Sequence, residues 1–143
     1  MAFSAGAARA QVPVPGSEFS EISACLCLQQ SISTLAAEMN AKKRALDAVT
    51  RQLAALDAQL AQERPLINVN NPDAVARYKA LLEQHDATYR RSIGPVHADA
   101  VQATARYNAA VNEFNSRCVN PNRPLNWALA PEAQSRLMCP PLR

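Results

Sequence analysis

The strongest constraint on this chain is a row of apolar residues spaced seven apart. Cys25, Ile32, Met39, Leu46, Leu53 and Leu60 hold one heptad position, and Leu28, Leu35, Lys42, Val49 and Leu56 hold the position three residues further on. Only Lys42 in this row is charged. Apolar residues that recur at alternating steps of three and four form a narrow helical seam, and that seam needs a second helix to cover it. Alanine, leucine, glutamine, glutamate and arginine fill the remaining positions, and all are good helix formers. The sequence predicts a first helix over about 18–63.

"ERPLINVNNPD" ends that helix and begins another. Pro65 biases Arg64 away from helical geometry. Asn71 suits an N-cap, Pro72 the first helical position, and Asp73 the positive end of the helix dipole. A second helix is expected over about 72–117, kinked at Gly94-Pro95. Its seam is expected to be Val75, Tyr78, Leu82, His85 and Tyr89, then Val96, Ala100, Ala103, Tyr107, Val111 and Phe114. Two long helices joined by a short loop fold back on each other. The expected class is all-α: a long, coiled-coil-like antiparallel two-helix hairpin with a short C-terminal helix.

Two segments flank the hairpin of residues 18–117. Residues 1–17 end in "QVPVPGS", expected to be a non-helical, Pro-rich leader. They also contain Ala8-Arg9-Ala10, the small-x-small pattern that precedes signal cleavage. No basic start or apolar stretch comes before it, so Met1 is expected to lie inside a longer signal peptide that begins upstream. Residues 118–143 form a tail with one short helix, expected over Pro131–Met138. Its Trp127, Leu129, Leu137 and Met138 need a surface to pack on.

Four cysteines ask what joins them. A lipid anchor requires an apolar approach to Cys25, but Glu18 and Glu21 precede it. Zinc requires cysteine pairs two to four residues apart. Cys25 and Cys27 instead head about 200° apart on a helix, and Cys118 lies far from Cys139. A redox thiolate would be opposed by the same two glutamates. Copper(I), which accepts fewer and softer ligands, could use Cys25, Cys27, Cys118, Cys139 and Met138. Disulfide staples fit an antiparallel hairpin best, because its open end brings Cys25 and Cys27 towards Cys118. A 25–27 bridge is too short, leaving two pairings. We favour Cys25 with Cys118 and Cys27 with Cys139. The loop centre near Asn68 would place Cys118 some way below Cys25, so the chain would have to turn back there. Loops of roughly 90 to 110 residues would each add about 4 to 5 kcal/mol in the chain-entropy model. That matters because much of the 48% apolar content is alanine, which buries little area.

The remaining chemistry is sparse. Net charge is +3 with both signs interspersed, so nucleic acid is not an expected partner. No apolar run approaches the ~20 residues of a membrane span. Three glycines, at 6, 16 and 94, cannot make a phosphate loop. His85 falls on the seam and reads as a packed core residue. His97 has no ligand neighbour. Folding about Asn68 would set Lys42 against Ser92–Pro95, where its ammonium is expected to cap carbonyls freed by Pro95.

These features point to a periplasmic or secreted protein that is neither an enzyme nor cofactor-dependent, acting as a structural, adaptor or assembly module. Leu66, Ile67 and Val69 are apolar in a turn. They are either an interaction tip for a protein partner or a plug closing the hairpin. A second copy could cover the rest of the seam as a homodimer. The alternative function is thiol redox or copper(I) handling by the cysteines.

Overall fold

The computed structural model describes residues 15–142. They are all-helical, with no strand among them: α1 Pro15–Glu63, α2 Pro72–Ile93, α3 Pro95–Cys118 and α4 Ala130–Ser135, with short 3-10 turns at Arg64–Leu66 and Trp127–Leu129. The expected signal cleavage pattern at residues 8–10 lies outside the described residues. The expected leader is shorter than it reads, since α1 already begins at Pro15. A proline in the first turn lacks only an N–H that no carbonyl would have accepted.

The chain divides into two compact units, one holding the chain up to Ser31 and from Asn112, the other Ile32–Val111. In the second unit, α1 runs antiparallel to α2 and α3. Three cross-helix pairs record this: Asp57 with His85 at 2.7 Å, Lys42 with Asp99 at 3.6 Å and Glu38 with Arg106 at 3.0 Å. Leu35, Val49 and Leu56 of α1 are buried with Leu81 and Thr88 of α2 and Ala100, Ala103 and Ala110 of α3. Every other α1 heptad residue from Ile32 to Leu60, Lys42 included, is half-buried.

The seam of α2 differs from the expected one. Ala74, Tyr78, Leu81, His85, Thr88 and Ser92 face inward, while Val75, Leu82 and Tyr89 are exposed. Tyr78 and His85 lie inward as expected, while Ala74, Leu81 and Thr88 each take the inward place one residue before the expected Val75, Leu82 and Tyr89. Thr88 tolerates burial because its hydroxyl donates to the Gln84 carbonyl at 2.9 Å, so no polar atom is stranded. The α3 seam lies where expected, through Val96, Ala100, Ala103 and Tyr107.

The helix pairs are centred near Asn71, not Asn68. From Asp57 the chain rises roughly 15 Å to Leu66, whereas from His85 back to Pro72 it covers roughly 20 Å. The 3-10 turn and extended Ile67 carry the chain past the end of α1 before α2 begins. One consequence corrects the expected role of Lys42. Its ammonium meets the Asp99 carboxylate one turn into α3, not the carbonyls at Pro95. At that break the Gly94 N–H donates to the Arg90 carbonyl at 3.0 Å, and the Ser92 hydroxyl donates to the Tyr89 carbonyl at 2.7 Å.

In the other unit, Ile22, Cys25, Cys118 and Ala133 are fully buried. Arg117 joins Glu113 at 2.9 Å and Glu21 at 3.7 Å. The Glu18 carboxylate accepts the Asn126 N–H at 3.0 Å, and Asn126 in turn caps the second 3-10 turn. The tail helix is shorter than expected, ending at Ser135. It is anchored by Ala133, while Trp127 and Met138 stay exposed.

Gly94 separates α2 from α3 and has no room for a side chain. A Cβ there would sit 2.8 Å from the Arg90 carbonyl oxygen, which is backbone and cannot rotate away. Gly94→Ala is expected to lower stability by about 1 to 3 kcal/mol, read by denaturant unfolding with the disulfides intact.

Candidate functional site

Asparagines build the turn between α1 and α2. The Asn68 side chain accepts the Asn70 N–H at 3.0 Å, and its carbonyl accepts the Asn71 N–H at 2.9 Å. The Asn71 side chain caps α2, accepting from the N–H groups of Asp73 and Ala74 at 3.1 and 3.3 Å. Asn and Asp side chains favour such turns because they replace missing backbone partners. The Asn68 and Asn71 side chains therefore bind the turn's own backbone, while Leu66 and Val69 face out. Leu66 is 82% and Val69 80% exposed. Ile67 is half-buried, and of the three only this one behaves as a plug.

Beside the turn lies an open cleft of about 440 Å³. It exists because α2 begins beyond the end of α1. Leu81, Ala80 and Ile67 supply apolar surface, with Glu63, Arg77 and Gln84 around them. Glu63 accepts from Gln59 Nε2 at 3.3 Å. Arg77 is exposed and has no ion-pair partner among the described residues. An apolar floor with one available guanidinium suits a peptide segment carrying aliphatic side chains and a carboxylate.

The cysteines form the second cluster. Cys25 is bonded to Cys118 and Cys27 to Cys139, at separations of 93 and 112 residues, and no cysteine is free. Cys118 is the last residue of α3, so the chain does not turn back to reach Cys25. Centring the pairs near Asn71 instead of Asn68 removes the mismatch that counting suggested. Bonded in this way, none of the four sulfurs is a thiolate, the species that copper(I) or redox chemistry uses. Among the described residues, no three His, Cys, Asp or Glu side chains gather as a metal would need. His85 hydrogen-bonds Asp57, and His97 is exposed. Comparisons with protein-family models, curated proteins and solved structures gave no match.

The two bridges differ in access. Cys25 is 1% and Cys118 2% exposed, whereas Cys27 and Cys139 are half-buried beside an open cleft of about 360 Å³. Attack on a disulfide requires a thiolate to reach sulfur. Under limiting reductant, Cys27–Cys139 is expected to open first. Stepwise differential alkylation with peptide mass analysis checks this, and label appearing first on Cys25 and Cys118 would contradict it.

Proposed function

We propose that this chain is an exported, non-catalytic helical interaction module that binds a protein partner through the α1–α2 turn and its cleft. The observation that carries the proposal is the exposure of Leu66 and Val69 on a turn whose Asn68 and Asn71 side chains bind its backbone. A flexible loop could fold such residues away. A turn held by its own side chains keeps them presented, and presentation lowers the ordering cost of binding. Arg77 adds a charge that can orient an acidic or C-terminal group.

Export is supported by the two disulfides, which persist in oxidising compartments. It is compatible with the finding that no described helix is long and apolar enough to cross a membrane. A periplasmic or secreted location fits both observations. Intact mass of protein from the native host, with and without alkylation under denaturing conditions, tests this part. No alkylatable thiol is expected. Two or more free thiols would overturn the staple reading in favour of thiol or copper(I) chemistry.

The tip is tested by photo-crosslinking residues placed at positions 66 and 69 in the native host, with position 55 on the exposed face of α1 as control. One discrete adduct from both tip positions and none from the control is the expected result. Equal or absent adducts would overturn the reading. Leu66→Asp with Val69→Asp is expected to abolish the adduct partner's co-purification while changing unfolding stability by under about 1 kcal/mol, as suits exposed positions.

A further inference from the structure

α2 carries two apolar stripes, and its own hairpin uses only one. The inward stripe is described above. The second is Val75, Leu82 and Tyr89, seven residues apart and 41%, 43% and 46% exposed. An exposed leucine alone means little. Three large apolar residues at strict heptad spacing beside a filled seam are different. Helices that serve a bundle of more than two carry apolar residues at a third heptad position, next to the two that serve a single neighbour. All three residues lie on α2, and none of them is a tip residue.

We propose that this stripe is a self-association face, on which α2 of a second copy packs antiparallel about a two-fold axis at Leu82. The charges favour that occupant. Between the stripe residues stand Lys79 and Asp86, equally spaced about Leu82 to within one residue. Antiparallel two-fold packing sets Leu82 on Leu82, the small Val75 on the large Tyr89, and Lys79 of each copy by Asp86 of the other. A parallel arrangement would instead stack Val75 on Val75 and Tyr89 on Tyr89, and would send Lys79 and Asp86 of the two copies to opposite flanks, where they cannot pair. In a two-fold interface each residue pair occurs twice, so the antiparallel arrangement alone gains the Lys79–Asp86 attraction, and gains it twice. Asp86 at present pairs with Arg90 of its own helix at 2.7 Å. Both are exposed, so the carboxylate can accept from Lys79 as well.

The proposal goes beyond partner binding at the tip and rests on different residues. Sedimentation of the full, oxidised chain across micromolar to submillimolar concentration tests it. A reversible dimer is expected. Leu82→Glu should leave only monomer, with the melting temperature that the wild type shows at concentrations where it too is monomeric. Lys79→Glu and Asp86→Lys should each weaken the dimer about tenfold or more by placing like charges together. The double exchange Lys79→Glu with Asp86→Lys should restore it, which a merely structural effect would not. A wild-type monomer throughout the range would overturn the proposal and leave the face to another protein. So would a dimer that survives Leu82→Glu, or one that dissolves on Leu66→Asp with Val69→Asp, which would place the contact at the tip.

Discussion

Close contact between long aliphatic residues and alanines is the constraint from which most of this structure follows. In Ile32–Val111, α1 contributes Leu35, Val49 and Leu56, while α3 contributes Ala100, Ala103 and Ala110. Alanine lets helices approach closely but removes little apolar area from water. A seam made this way specifies register better than it stabilises. The molecule compensates covalently, with two bridges that each restrict a long stretch of the unfolded chain. It also compensates electrostatically, with ion pairs set along the flanks of the seam. Those pairs are only partly shielded from water and weak singly, yet each fits only one alignment of the helices.

Legibility in the sequence tracked how sharply each residue type separates inside from outside. In α1 the contrast between aliphatic seam and polar flank is steep, and every position in the row is buried or half-buried. In α2 the contrast is shallow. Leu81 and Leu82 are adjacent, Tyr89 looks more like a core residue than Thr88, and Val75 more than Ala74. Ranking by hydrophobicity therefore picked the wrong residue at three positions, while Tyr78 and His85 lie inward as expected. What reversed the order was a hydroxyl satisfied by its own helix at Thr88, together with the small size that close packing demands. Neither appears in a hydropathy pattern.

The turn produced the other discrepancy. Counting to its middle assumes that both helices end at one level. The local signals at Pro65, Asn71 and Pro72 mark helix ends in sequence, but not the rise of the chain between them. Three residues of error moved Lys42 from Asp99 to the Pro95 break and made Cys118 look out of reach. The cleft beside Leu81 was not visible in the sequence, although Leu66 and Ile67 at its edge were. The exposed Leu66 and Val69, by contrast, were legible as apolar residues where polar ones belong. That they stand in water is told only by their exposure in the folded turn.

The sequence separation of the bridged cysteines has a consequence for biosynthesis. Cys25 and Cys27 leave the ribosome together, with partners 93 and 112 residues behind them. At ordinary synthesis rates that is a wait of roughly 5 to 20 s. During it, each thiol has only its near neighbour as a mate within the emerging chain. A bridge between those two is too short to form readily, so both thiols stay exposed to reaction with other molecules until their partners emerge. Correct pairing must then follow completion of the C-terminal tail, either by keeping the early thiols reduced or by exchanging a premature bond.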